Sequence, residues 1–148
     1  MSSPQAEAQQ PAQRIRFIHA LILVWSVGLA VRALPFRTLT RLMLRRRPAG
    51  PRPCRPEPIA ALVRRAAAHC WPAPSCLARA LVLCRLLLRR GLDAELVLGV
   101  EAGGGRLAAH AWVEHEGRIL DPDSCQTARF AEIHRIGPRG LAGMPERT

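Results

Sequence analysis

Three residue types that can cooperate in acyl transfer occur in a suggestive order along the chain. Cys76 follows Ser75 at the predicted start of a helix, His110 lies in a predicted strand, and Asp121 ends the next strand. Unpaired N–H groups at a helix N-terminus favour a thiolate over a thiol. The imidazole can then act as general base and acid, while the carboxylate fixes its tautomer. The pattern predicts nucleophilic catalysis through a thioester, with Cys76, His110 and Asp121 as the catalytic residues.

The other cysteines are weaker candidates for the nucleophile. Cys84 lies on the apolar face of the same predicted helix, where burial would raise the pKa of its thiol. Cys70 precedes a Trp-Pro break, and Cys54 lies in a proline-rich stretch where it has no evident task. The position at a helix start therefore favours Cys76.

Alternatives also exist for the histidine and the acid. Strand alternation turns His115 to the face opposite His110, and His134 lies beyond the predicted hairpin. Asp123 is retained beside Asp121 as an alternative triad acid. Taken singly, such residues are often a small packing cysteine, a hydrogen-bonded histidine and a strand-ending Asp-Pro. The order of all three together favours the catalytic interpretation.

Helical periodicity predicts the element that would carry the nucleophile. Ser75 suits the N-cap of a helix that begins at Cys76, and Gly91 suits its C-cap. Arginines near the C-terminal end suit the negative end of the helix dipole. One face of this helix is apolar and comprises Leu77, Ala80, Leu81, Cys84, Leu87 and Leu88.

Two-residue periodicity predicts the sheet that would carry the other two residues. Residues 94–100 form an aliphatic strand, and residues 108–115 alternate so that one face carries His110, Trp112 and Glu114. A turn at Glu116-Gly117 leads into a strand at 118–120. Helices followed by an antiparallel sheet of at least three strands predict an α+β fold.

The N-terminal third is predicted to consist of a tail, two helical segments and a linker. Residues 1–13 are polar and predict a disordered tail. Residues 14–36 form a helix whose apolar core of about fifteen residues is shorter than a bilayer span. This favours a buried or partly membrane-facing helix over a true anchor. A short basic amphipathic segment at 38–47 has Leu39, Leu42 and Met43 on one side.

A proline-rich linker and a further helix complete this region. Residues 49–58 contain four prolines and predict a linker, and residues 59–69 have helical spacing. The predicted organisation is therefore a helical segment with its linker at 14–58 and a catalytic core at 59–148.

Composition limits the classes of function. The 148 residues carry a net charge of +11, but all 22 basic residues are arginine and none is lysine, which indicates coding bias. The arginines are dispersed outside any recognition motif, which disfavours nucleic-acid binding. Five cysteines without a C-x-x-C pair predict neither a metal site nor a disulfide scaffold. We expect a cytoplasmic protein that needs no cofactor.

The same residues carry a resemblance to a known family. The relevant segments are 76–81, 87–91, 95–100, 109–114 and Leu120-Asp121. They resemble the transglutaminase-like cysteine peptidases that remove leader peptides in lasso-peptide biosynthesis. The resemblance runs from about residue 60 to residue 121, and the N-terminal helix ending in Leu-Pro-Phe-Arg is also similar.

The resemblance implies a fold, a reaction and partners. The fold would be papain/transglutaminase-like, with Cys76 as nucleophile, His110 as base and Asp121 as third member. The chain resembles the stand-alone protease half of this family, which acts on a precursor peptide held by a leader-binding protein in trans. A lasso cyclase would use the product and is a further candidate partner.

Two other functions remain open at this point. One is acyl transfer to an amine on the same fold, as in true transglutaminases. The other is a non-catalytic basic protein that docks on an acidic partner or a membrane through residues 14–47.

Overall fold

Helices precede an antiparallel sheet in the computed structural model, which describes residues 4–45, 54–103, 106–120 and 127–137. The elements are α1 (Pro4–Ala33), α2 (Phe36–Leu44), α3 (Glu57–Ala68), α4 (Cys76–Leu88), β1 (Ala94–Gly103), β2 (Arg106–His115), β3 (Arg118–Ile119) and β4 (Ala131–Ile136). This layout confirms the predicted α+β class.

Helix α1 is longer at its N-terminus than predicted. It begins at Pro4, within the segment 1–13 that was predicted to be a disordered tail. Alanine and glutamine supply seven of the ten residues at 4–13 and favour a helix, which accommodates Pro11 in its interior. Pro4 suits a first helical position, because proline has no N–H to satisfy there.

The opposite end of α1 agrees with the prediction. The helix ends at Ala33, two residues before Pro35, and α2 begins directly after that proline. The buried side chains of α1 are Ala20, Val24 and Val27. They pack the helix against α3 and α4.

Helices α2 and α3 differ in detail from the predicted segments. In α2, Leu39 and Met43 are buried as expected, but Leu42 is exposed and Leu44 takes the inner position. Helix α3 begins at Glu57, so the end of the predicted 49–58 linker is already helical. Residues 46–53 lie outside the described part of the chain.

Helix α4 is the central helix of the domain. Its fully buried leucines include Leu81 and Leu87, each worth about 1.5–3 kcal/mol through removal from water. The helix ends in a tight turn at Gly91, whose φ of 79° is favourable only for glycine. There the N–H of Leu92 donates to the carbonyl of Leu87 at 3.1 Å, which satisfies a terminal helix carbonyl.

The sheet contains one strand that the sequence did not predict. Its order is β3-β2-β1-β4, with antiparallel pairing throughout. The turn at Glu116-Gly117 confirms the predicted hairpin, since both residues have positive φ. Strand β4 returns to pair with β1, and a bulge interrupts this ladder between Leu98 and Gly99.

Helix α4 packs on the two central strands of the sheet. Ala94 and Leu96 of β1 and Ala111 and Val113 of β2 join the same core cluster as the buried residues of α4. The thiol of Cys84 donates to the carbonyl of Ala94 at 3.6 Å, which ties the middle of α4 to the start of β1. The register of the sheet therefore fixes the position of α4 along the strands.

Candidate active site

Cys76 is the first residue of α4, as the sequence predicts. The residue before it, Ser75, has an extended backbone and accepts a hydrogen bond from the N–H of Ala78 at 3.2 Å. This N-cap fixes the first turn and leaves the helix N-terminus at the cysteine. The Cys76 side chain is half-buried. Both features suit a nucleophile that a substrate must reach.

The position of Cys76 relative to the sheet follows from its helix face. Cys76 lies one turn before Ala80, and Ala80 and Leu83 line a small cavity together with Val113 of β2. Cys84, one turn further on, contacts Ala94, whose partner in β2 is His115. The N-terminal end of α4 therefore lies towards the residues of β2 that precede His115.

The predicted base, His110, lies in β2 next to Ala111, which belongs to the same core cluster as the buried residues of α4.

Burial separates Cys84 from the candidate nucleophile. Cys84 is completely buried, and this burial, with a contribution from Glu95, raises the pKa of its thiol to about 12. Burial also raises the pKa of Cys70. The burial of Cys84 and its raised pKa agree with the sequence-based expectation that burial raises the pKa of this thiol.

His110 lies in the middle of β2 and its ring is held by two aromatic neighbours. The ring of Trp112 stacks on it with centroids 6.1 Å apart, and the ring of Phe130 lies at 5.1 Å. The Nε2 atom of His110 is buried. His110 and Trp112 share one face of the strand, as predicted, while Ala111 and Val113 alternate with them in the core.

Gly99 creates the space for these rings. It is the β1 partner of His110, and a Cβ built on it would lie 2.8 Å from two ring carbons of Trp112 and 2.9 Å from the Cβ of Phe130. Any larger residue would displace the tryptophan that stacks on the histidine. Gly99 was not among the predicted site residues, although a glycine inside a strand often marks a close approach of this kind.

An ion cluster holds the far end of Trp112. Its Nε1 donates to Oε1 of Glu114 at 2.9 Å, and Oε2 of Glu114 accepts from Nη1 of Arg135 at 2.7 Å. Arg135 also binds Glu95 and pairs in bidentate fashion with Glu132. Arg135 lowers the pKa of Glu132 through these hydrogen bonds, and its own pKa is raised by its carboxylate partners.

Arg135, which joins the carboxylates of this cluster, lies on the unpredicted strand β4, which explains why the sequence could not reveal the cluster. Glu114 was assigned to the face of His110 and Trp112, but its partner Arg135 is 21 residues away. Two of the four strands, β2 and β4, thus combine through Glu114 and Arg135 to orient Trp112.

The remaining predicted site residues have different outcomes. Asp121 and the alternative acid Asp123 lie outside the described residues, as does Cys125. The last described residue before them is Leu120, whose N–H donates to the carbonyl of Val113 at 2.9 Å. Nδ1 of His115 is 2.6 Å from the carbonyl oxygen of Asp93, in accord with a structural role.

Two further observations concern metals and His134. No group of three or more His, Cys, Asp or Glu side chains within the described ranges could hold a metal ion. His134 is exposed in β4, where it pairs with Leu98.

Comparison with known proteins identifies the family. A model described as the Transglutaminase-like superfamily matches residues 20–135, a range that includes Cys76 and His110. No curated protein and no solved structure matches the chain. The superfamily includes cysteine peptidases and acyltransferases. The match covers most of the sequence and agrees with the observed α+β layout, so the chain belongs to the transglutaminase-like superfamily and has the predicted fold.

Proposed function

We propose that this protein is a cysteine peptidase that removes the leader peptide from a ribosomal lasso-peptide precursor. The observation that carries the proposal is the position of Cys76 at the capped start of α4, a helix that packs on the strand of His110, in a transglutaminase-like chain. The resemblance to leader peptidases in segments 76–81 and 109–114 supports the choice of substrate.

The reaction would proceed in two balanced steps. The thiolate of Cys76 attacks the carbonyl carbon of the leader–core peptide bond, and His110 as imidazolium gives its proton to the leaving core amine. The C–N bond breaks and a thioester joins the leader to Cys76. His110, now neutral, takes a proton from water, and the hydroxide attacks the thioester. The leader carboxylate leaves and the thiolate and imidazolium are restored.

Several other residues have proposed roles in this scheme. Asp121 is the proposed acid that fixes the imidazole tautomer, with Asp123 as the alternative. Trp112 and Phe130 limit the rotation of the histidine ring. Through Glu114, Arg135 holds Trp112 and is a positioning residue.

We further propose that a leader-binding protein presents the precursor. A partner that holds the leader and also contacts the peptidase would make cleavage effectively intramolecular. Reconstitution tests this: leader removal is measured with the purified chain alone and with the leader-binding protein, at substrate well below saturation. We expect a faster reaction with the partner, and equal rates would show that this chain recognises its leader unaided.

The activity itself is tested by mass spectrometry of the products. A lasso-peptide precursor and its leader-binding protein are incubated with the wild-type chain and with Cys76→Ala. Hydrolysis yields a free leader carboxylate and a free core N-terminus. Acyl transfer would instead yield a leader joined to an added amine such as hydroxylamine or lysine. Cleavage that persists in Cys76→Ala would overturn the proposal.

A further inference from the structure

Helix α1 carries an apolar stripe on its outer side. Its members are spaced by four, three and four residues, and each is between 51% and 57% exposed: Ile18, Ile22, Trp25 and Leu29. This is the spacing of one continuous helix face. Large apolar side chains in a continuous row on the surface indicate a binding surface, whereas apolar residues exposed singly do not.

The opposite face of α1 is fixed to the domain. Ala20, Val24 and Val27 are buried, and each lies about 200° around the helix from a stripe residue. The window Arg16–Ala33 is apolar and long enough to cross a membrane by length and composition, with 17% of it buried. Spanning a bilayer would pull the buried face out of the core. The helix therefore stays packed on the domain and exposes the stripe along its outer side.

The charge around the stripe has a single sign. Residues 14–45 contain six arginines and neither aspartate nor glutamate. A second copy of this chain facing the stripe would bring arginines against arginines without a carboxylate to neutralise them. The charge instead complements an anionic surface.

A cleft beside the stripe combines arginines with an apolar floor. It measures about 460 Å³, and Ile22 of the stripe forms part of its wall. Arg16 from α1 meets Arg89 and Arg90 from the end of α4 around this cleft. The apolar lining consists of Ala20, Leu23, Leu62 and Leu86. Guanidinium groups above an aliphatic floor match a phosphate headgroup joined to an acyl chain.

We infer that α1 lies flat on an anionic phospholipid surface. The stripe enters the boundary between headgroups and acyl chains, and Arg89 and Arg90 bind a lipid phosphate at the part of the cleft that Ile22 lines. Trp25 suits this depth because tryptophan favours the membrane interface. The inference does not depend on the peptidase reaction, since none of these residues belongs to the proposed catalytic set.

Vesicle co-sedimentation tests the surface directly. The full chain is mixed with vesicles of phosphatidylcholine alone and with vesicles containing phosphatidylglycerol. We expect binding to the anionic vesicles only, weakening as salt is raised. A blue shift of tryptophan emission should accompany binding and be lost in Trp25→Phe. Wild-type binding that is absent, or equal on both vesicles, would overturn the inference without any variant.

Matched variants locate the contact. Ile18→Gln with Ile22→Gln should weaken vesicle binding by about tenfold or more, whereas Leu107→Gln with Ile133→Gln, at apolar residues that are more exposed and lie elsewhere, should not. Arg89→Gln with Arg90→Gln should weaken it by about twentyfold, whereas Arg118→Gln with Arg129→Gln removes the same charge and should have a much smaller effect. If a stripe or cleft variant and its control variant lost equal affinity for vesicles, the proposed surface would be wrong. Binding of the stripe to the leader-binding protein, with none to vesicles, would assign it to a protein partner instead.

Discussion

Trp112 lies directly over Gly99 of the neighbouring strand, so close that a Cβ there would be 2.8 Å from two of its ring carbons. This contact links the strand that carries His110 to the central strand β1. Trp112 can therefore stack on His110 only with a glycine at position 99.

The first prediction compares two Gly→Ala substitutions. Gly99→Ala should destabilise the fold by about 1–3 kcal/mol, because Trp112 or the backbone must move. Gly28→Ala is the control: its Cβ would meet only Pro74 at 3.9 Å, so a gain of about 0.5–1 kcal/mol is expected in the helix interior. Urea unfolding measures both. Equal changes in the free energy of unfolding for the two variants would show that the structure around Gly99 accommodates a Cβ without cost.

The second prediction concerns the nucleophile. Cys76→Ala and Cys76→Ser should lower the rate of leader removal by at least about 10⁴-fold, because the nucleophile is lost. The melting temperature should change little, since Cys76 is half-buried at a helix terminus. Cys70→Ala, which also replaces a half-buried thiol, serves as the matched control and should retain activity.

The third prediction separates the base from the acid. His110→Ala should be as damaging as loss of Cys76, whereas Asp121→Asn should be milder because the base remains. Asp123→Asn should have little effect on single-turnover cleavage. If Asp123→Asn is damaging and Asp121→Asn is silent, the roles of the two aspartates are exchanged.

The fourth prediction follows from the buried thiol of Cys84. Its pKa in the folded state is about 12, raised from 9.0, so the unfolded chain releases this proton at lower pH than the folded chain does. The contribution of the protonated Cys84 thiol to the free energy of unfolding is fully present below pH 9 and is lost as the pH rises towards 12. Stability should therefore fall by about 1.4 kcal/mol per pH unit in this window through Cys84 alone.

Urea midpoints at pH 8 and pH 10 measure this effect. Cys84→Ala should have a flatter dependence between the two values, although its stability at pH 8 is lower because of the cavity left behind. An unchanged slope in Cys84→Ala would assign the alkaline loss of stability to other groups.

The fifth prediction tests the ion cluster. Arg135→Gln should cost about 1–3 kcal/mol, because it leaves the carboxylate of Glu114, whose side chain is 15% exposed, beside two other acids. Arg129→Gln breaks a bidentate pair with Glu101. Because the Arg129 side chain is 63% exposed, this change should cost less than about 1 kcal/mol. If Arg135 positions Trp112, its loss should also change the pH profile of cleavage, which Arg129→Gln should leave intact.

The nucleophile helix and the hairpin could be predicted because their signals are local. Ser75, Cys76 and Gly91 define the ends of α4 through capping and backbone conformation, and the alternation in β2 assigns His110 and Trp112 to one face. Each of these rules acts within a few neighbouring residues, and the structure agrees with them.

The parts that escaped prediction depend on contacts between distant residues. Strand β4 has exposed residues on both faces and no clear alternation, so only its pairing with β1 defines it. Periodicity over the nine residues of α2 does not separate Leu42 from its neighbour Met43, so it predicts an inward Leu42 that the structure shows exposed. The contact of Gly99 with Trp112 depends on the register of two strands, which the sequence does not specify.

The strand order β3-β2-β1-β4 also has a consequence for assembly during synthesis. From Cys76 to Ile119 the chain forms a helix and three strands whose neighbours in sequence are neighbours in space, so this unit has low contact order. Strand β4 and helix α1 attach to it from opposite ends of the chain. While residues beyond Ile119 are still in the ribosome, the outer edge of β1 has no partner from β4. A chain truncated before Ala131 should therefore be prone to edge-to-edge aggregation, even though it retains the elements that carry Cys76 and His110.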